Sequence, residues 1–346
     1  MMKKEMIKRA AGLILAAALA AGSLAGCGVK LTPDWEKAAE NANGITLELP
    51  QGGGTSKTKT TAPAQTAAAT TSAGVQSEPV SAGTTAAQTA PAQSGGRQIH
   101  EPEITDAIRA LDNTSVGTGA NTTDRDENNV PNGYKYYQNR WGTEYNAIWL
   151  GDTSEKTIYL TFDVGYDEGN AQKILDTLSQ KNVKATFFVT QALVDSEPDT
   201  LKRMIDEGHT VGNHTISHPS AGEPSLSLEE QVNDILPLEE QVYNETGYEM
   251  RYFRYPEGTF SDQSLALLKA MGFTCVFWSF SYKDWDTSSQ PDQTSALNEM
   301  VSQLHPGAVY LLHAVSDTNT AVLGSLIDDA RQQGYTFAAF GNDNRY

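Results

Sequence analysis

After about Tyr134 the chain alternates, roughly seven times, between short runs of β-branched or aromatic residues and amphipathic stretches of helical period. The runs are Thr157–Phe162, Ala185–Val189, Thr210–Asn213, Met250–Arg254, Thr274–Phe280, Ala308–Leu312 and Thr336–Phe340. Near-continuous apolar runs of this kind suit strands covered on both faces. Between them, Ala171, Ile174, Leu175 and Leu178 recur at three- and four-residue steps, as do Leu201, Met204 and Ile205. Leu265, Leu268 and Met271, then Leu323, Leu326, Ile327 and Ala330, repeat the pattern, and Gly208, Gly247, Gly272 and Gly334 stand where such helices should stop. The alternation predicts an α/β domain with about seven parallel strands and helices outside. Right-handed crossovers leave two arrangements, an open doubly wound sheet or a barrel. In either, functional groups gather at the carboxyl ends of the strands.

The first 131 residues read differently. Lys3, Lys4, Lys8 and Arg9 precede a small-residue apolar run, Ala10 to Ala25, that ends in Leu24-Ala-Gly-Cys27. A short apolar run behind a positive flank predicts an export signal over residues 1–26 rather than a spanning helix. Leu-Ala-Gly-Cys resembles a bacterial lipobox, which implies cleavage before Cys27, lipidation of its thiol, and an extracytoplasmic protein anchored in the membrane and facing the cell wall. Residues 51–98 are almost wholly Thr, Ala, Ser, Gln, Gly and Pro, with Thr-Ala-Pro-Ala-Gln repeated from Thr61 and Thr89. Such a segment buries too little apolar surface to offset its ordering entropy, so residues 27–131 are expected to form a largely disordered tether. Its low-complexity part would span roughly 40 Å as a flexible coil. One short helix is expected near Ile104 to Leu111, and the folded domain is assigned to residues 132–346. A net charge of −18 with no basic stripe argues against nucleic acid as a partner, and no protein partner is evident. Cys275, within the apolar run Thr274-Cys-Val-Phe-Trp278, reads as a small buried hydrophobe.

Ionisable residues sit where the strands should end. Asp163 follows the first strand, His214 and His218 the third, Arg254 closes the fourth, Asp284 follows the fifth and His313 ends the sixth. Taken singly, each has an ordinary structural explanation: a helix cap, a core histidine, a salt bridge. Their recurrence at equivalent positions predicts one shared rim. The four-residue step from His214 to His218 places two imidazoles on one side of a helix or an extended segment, a pairing that suits zinc or a similar ion. The competing reading is two turn histidines capping a loop before Pro219.

The ordered set Thr161-Phe-Asp163-Val-Gly165, His214-x-x-x-His218, Arg254-Tyr-Pro256-Glu-Gly258, Asp284-Trp285 and Leu311-Leu-His313 resembles the five motifs of the polysaccharide deacetylase (NodB-homology, carbohydrate esterase 4) family. Within it, Thr157-Ile-Tyr-Leu-Thr-Phe-Asp163 and Leu311-Leu-His-Ala-Val315 are most similar to the delta-lactam-biosynthetic de-N-acetylase branch, which acts on muramic acid in peptidoglycan. The resemblance implies a distorted (β/α) barrel and removal of N-acetyl groups from amino sugars of cell-wall glycan. It implies Asp163 as general base, His214 and His218 as ligands to a divalent metal, commonly zinc, and Arg254 as the group that orients Asp163. It further implies His313 as general acid steadied by Asp284, Trp285 and Leu311 as walls of the acetyl pocket, and the Glu257 backbone N–H as an oxyanion donor.

Two positions depart from the pattern. Val164 stands where most of the family has an Asp ligand, so the metal should bind weakly, with Asp167 or Glu168 as conceivable substitutes. Glu257 places a carboxylate where it would repel the free lactyl group of muramic acid, which makes N-acetylglucosamine an alternative substrate. Two other functions use much of the same pattern: a wall-glycan-binding protein with a decayed site, and an O-acetyl esterase. A glycosidase, needing two opposed carboxylic acids, fits less well.

Overall fold

The computed structural model describes residues 97–165 and 169–341. The export signal, Cys27, the repeats up to residue 96, Asp167 and Glu168 lie outside the described residues. The described strands are β1 (Val116–Gly117), β2 (Ala147–Ile148), β3 (Thr157–Val164), β4 (Thr186–Val189), β5 (Thr210–Asn213), β6 (Tyr252–Phe253), β7 (Thr259–Phe260), β8 (Thr274–Val276), β9 (Ala308–His313) and β10 (Thr336–Ala338). All seven predicted runs hold strands of the main sheet, and the predicted helices appear as Asn170–Gln180, Pro198–Asp206, Asp262–Ala270 and Asp317–Gln332.

From β3 the sheet runs through β4, β5 and β6 to β8, every pair parallel, while β9 lies along the other edge of β3. Beyond Val276 the chain leaves regular strand geometry but still reaches β9. The Ser279 and Phe280 N–H groups donate to the Val309 carbonyl at 2.9 and 3.1 Å, and the Leu311 N–H donates to the Phe280 carbonyl at 2.9 Å. These bonds close the sheet into a distorted barrel, the arrangement implied by the resemblance. Two short parallel additions share edges: β10 beside the start of β3, and β2 beside β8.

The pleat sorts side chains by parity. On β3, Ile158, Leu160, Phe162 and Val164 belong to the apolar layer that includes Ala171, Ile174 and Leu175 of one helix and Leu323, Leu326 and Ile327 of another. Tyr159 belongs instead to the second layer, with Phe188, Phe253, Phe277, Val309 and Leu311. Asp163, two steps beyond Thr161, is therefore presented on the same side as Tyr159. The register pairs Asp163 with His313 directly across β3 and β9. Gly212 lets β5 approach this interior closely, since a Cβ there would lie 2.6 Å from the Phe188 ring and 2.9 Å from the Tyr252 carbonyl oxygen.

Residues 97–131 depart from expectation. They pack against the barrel rather than extend a tether, so the ordered domain begins no later than Arg97. Ile99, Thr118 and Val130 are buried. The Ile99 N–H donates to Glu249 Oε1 at 2.8 Å, Trp149 Nε1–H donates to Thr118 Oγ1 at 2.7 Å, and β1 pairs antiparallel with β7. Only the helix Asp106–Arg109 falls where one was expected. The segment lacks hydrophobic period because its order comes from short polar loops. Asp112, Asn121 and Asp126 each accept the N–H two residues on, from Thr114, Thr123 and Asn128.

Candidate active site

The predicted site residues converge on one cleft of about 370 Å³, lined by Asp163, His214, His218, Glu257, Trp285, Leu311 and His313 together with Gly165, Tyr255, Trp278, Ser281 and Val315. Arg254 and Asp284 lie behind this lining, both fully buried.

Arg254 is anchored at three nitrogens. Nη1–H donates to Asp163 Oδ1 at 2.7 Å, while Nε–H and Nη2–H donate to the Val276 and Phe277 carbonyls, each at 3.0 Å. Its guanidinium also lies 4.2 Å from the centre of the Phe188 ring. Burial works against a charge on Asp163, but Arg254, His214 and His313 outweigh it and hold the carboxyl below its ordinary value. Asp163 is an anion with one oxygen committed to Arg254 and the other, Oδ2, facing His214 Nε2 at 3.4 Å.

The histidine pair is held by a turn, and neither a helix nor an extended segment brings the rings together. Thr215 and His218 both adopt left-handed backbone, φ 69° and 46°, which sets the two rings 4.9 Å apart, centre to centre, at 79°. Four hydrogen bonds hold this conformation. Asn213 Oδ1 accepts from the Thr215 N–H at 2.9 Å, Thr215 Oγ1 from the His218 N–H at 3.0 Å, and Asp234 Oδ1 from the Ser217 N–H at 2.8 Å. The fourth runs from Asn213 Nδ2 to the Ile235 carbonyl at 2.8 Å, tying the turn to the helix Leu228–Thr246.

His313 is steadied from behind. Nδ1–H donates to Asp284 Oδ1 at 2.7 Å and the His313 backbone N–H donates to Asp284 Oδ2 at 2.8 Å, which leaves Nε2 for the cleft. Asn319 Nδ2–H donates to Asp284 Oδ2 at 2.6 Å, and Tyr282 OH bonds Asn319 Oδ1 in turn. Burial alone would lower the affinity of His313 for a proton. The hydrogen bond and charge of Asp284, with Asp163 adding to them, reverse that and raise its pKa above the ordinary value. Sequence reasoning missed Asn319 and Tyr282. A signal for Asn319 exists: it falls on the apolar stripe with Val322, Leu323 and Leu326, where a polar side chain calls for a partner.

Trp285 is half-exposed at the mouth, its ring 5.8 Å from that of His313, and Leu311 lies buried beneath. Glu257 adopts φ 57° in the turn Pro256–Gly258, and its N–H meets no acceptor among the described residues.

The donor set fits a cation. His214 Nδ1 lies 2.9 Å from the Arg254 carbonyl, which can only accept, so Nδ1 carries the hydrogen. The ring is neutral, because burial pushes its pKa down to about 4 despite the opposing charge of Asp163. Nε2 therefore presents a bare lone pair to the bare Oδ2 of Asp163, an arrangement that a cation beside His218 would relieve. The set is sparse. Val164 is fully buried outside the cleft lining, and no group of three or more His, Cys, Asp or Glu side chains is arranged as a metal cage among the described residues.

Comparison with known proteins gives a consistent picture. The sequence model described as polysaccharide deacetylase matches residues 150–276. The chain is similar to the peptidoglycan-N-acetylmuramic acid deacetylase PdaA of Bacillus subtilis, 44% identical over 196 residues, covering 56% of this chain and 73% of that protein. It is 34% identical over 174 residues to a peptidoglycan-N-acetylglucosamine deacetylase of Bacillus cereus, covering 50% of this chain and 62% of that protein. The solved structure of Bacillus subtilis PdaA, a family 4 carbohydrate esterase, superposes with a TM-score of 0.62 at 39% identity, covering 66% of this chain and 96% of that one.

Proposed function

Since this chain belongs to the polysaccharide deacetylase family, we propose that it is a hydrolase removing N-acetyl groups from amino sugars of peptidoglycan, with Asp163 as base and His313 as acid. One observation carries the reading: Asp163 and His313 occupy paired positions on adjacent parallel strands and open on one cleft. Amide hydrolysis needs this pairing, because the nitrogen is a poor leaving group until protonated and water a poor nucleophile until deprotonated.

In this mechanism Asp163, kept ionised by Arg254, takes a proton from the attacking water through Oδ2. The Glu257 N–H, free of any partner among the described residues, donates to the oxygen of the tetrahedral intermediate. His313 then gives its Nε2 proton to the departing amine, and Asp284 stabilises the imidazolium until that moment. Leu311 and Trp285 enclose the acetyl methyl. His214 and His218 would hold a divalent cation, zinc being the ion their imidazoles suit, and when bound it supplies polarisation of the water and the acetamide oxygen. A pure glycan binder has no use for the Arg254–Asp163 and Asp284–His313 pairs together. The Leu24-Ala-Gly-Cys27 motif supports a lipid-anchored, extracytoplasmic enzyme facing the wall.

The test is acetate release from acetylated wall fragments and chito-oligosaccharides, with and without added zinc. Release is expected from the wild-type protein and loss of it, by about 10²–10⁴-fold, from His313→Ala. Glycan binding without any release would favour a binding protein instead.

The pH profile gives a second prediction. His313 must be protonated to act, so activity should fall as pH rises through its elevated pKa. Asp284→Asn keeps an acceptor for Nδ1–H but removes the charge that raised that pKa. The alkaline limb of kcat should then move to lower pH, and a limb that stays in place would remove Asp284 from this role.

A further inference from the structure

We propose that Glu257 makes this cleft select N-acetylated sugars whose substituent beside the acetamide is uncharged, and discriminate against muramic acid bearing a free lactyl carboxylate. The inference rests on the deacetylase reading above and narrows its substrate.

Glu257 lines the cleft and is exposed at its rim. The turn that carries it is closely packed. Gly258, at φ 62°, has no room for a Cβ, which would lie 2.5 Å from both Thr118 Cγ2 and the Trp278 ring. The Thr118 N–H donates to the Gly258 carbonyl and the Gly258 N–H to the Tyr255 carbonyl, each at 3.1 Å. The backbone carrying Glu257 is thus clamped from both sides, and the carboxylate cannot withdraw by shifting the turn.

That carboxylate stands alone: among the described residues it forms neither a hydrogen bond nor an ion pair. Among the described residues, the cleft lining contains no lysine or arginine. The nearest buried guanidinium, Arg254, has Nε, Nη1 and Nη2 committed to Val276, Asp163 and Phe277. The charge of His313 is balanced by Asp284 at Nδ1, its Nε2 proton serves the leaving amine, and the imidazoles of His214 and His218 belong to the acetamide end. A substrate carboxylate would lose water on entering, meet no lysine or arginine among the described lining residues, and face both Glu257 and the field of a chain with net charge −18. Like-charge juxtaposition is how a site rejects a competitor it could otherwise accommodate.

Two sugars share the accepted chemistry: N-acetylglucosamine, and N-acetylmuramic acid whose lactyl carboxyl is amide-linked to peptide. Three substrates separate the cases: chito-oligosaccharide, peptide-bearing glycan, and the same glycan after an amidase has freed the lactyl group. With intact protein, kcat/KM for acetyl loss from muramic acid in the free-lactyl glycan, assigned by mass spectrometry because its N-acetylglucosamine can also release acetate, should be at least about tenfold lower than for the accepted sugar of one of the other two. Glu257→Gln should shrink that ratio by about tenfold, and Glu257→Arg should shrink it further. Equal rates on all three, or a ratio that neither variant moves, would overturn the proposal. Should no substrate be hydrolysed, the deacetylase reading falls. Calorimetric titration with the same three glycans would then still decide the selectivity, and matching affinities would refute it.

Discussion

Asp163→Asn should reduce kcat on any accepted glycan by about 10²–10⁴-fold while leaving glycan affinity close to that of the wild type. The substitution preserves shape, and the Asn amide oxygen can still accept from Arg254 Nη1, now 2.7 Å from Asp163 Oδ1. What disappears is the anion. Arg254, together with His214 and His313, outweighs the burial cost of that charge, so the wild-type carboxylate stays ionised and free to take a proton at neutral pH. An amide takes none. Because Asn also leaves the buried guanidinium without a counter-charge, some stability should be lost, and a denaturant midpoint must accompany the kinetics. A variant that is folded under assay conditions and still releases acetate within tenfold of the wild-type rate would remove Asp163 from the role of base.

How far the sequence revealed this arrangement varies from element to element. The barrel strands were legible because both their faces are buried, which leaves continuous runs such as Thr157–Phe162. The strand-end residues were legible because parallel strands share one rim. Closure was not legible: it depends on Phe280 meeting Val309 and Leu311, a contact between segments that no local pattern links. The turn between His214 and His218 was equally hidden, since Thr215 and His218 adopt left-handed backbone only because Asn213 and Asp234 hold them there. Segment 97–131 was misread because loops closed by Asp and Asn side chains look, in composition, like disordered chain. Its packing matters to the site, as Thr118 clamps the turn that carries Glu257.

Arg254→Met should destabilise the domain by about 3–5 kcal/mol at neutral pH, the usual cost of stranding one partner of a buried ion pair. The loss has several components. Asp163 would stay buried without its guanidinium, and the Val276 and Phe277 carbonyls would lose their donors. The pH dependence follows from the sign of the shift. Asp163 has its pKa depressed in the folded state, so the stabilisation from its pairing is full above the unfolded value, near 3.9, and fades as pH falls through the lower folded one. The gap between wild type and Arg254→Met should therefore be widest near neutrality and close in acid, where a protonated Asp163 needs no counter-charge. Arg254→Lys should fall between them, because an ammonium retains the charge but cannot span Asp163 and two carbonyls at once. The decisive comparison adds Asp163→Leu to Arg254→Met. Removing both charges should recover much of the stability lost by removing one, in a protein with no deacetylase activity, and urea unfolding of the four-member cycle measures the coupling. A double variant no more stable than Arg254→Met would mean that the lost carbonyl bonds, rather than the stranded carboxylate, set the cost.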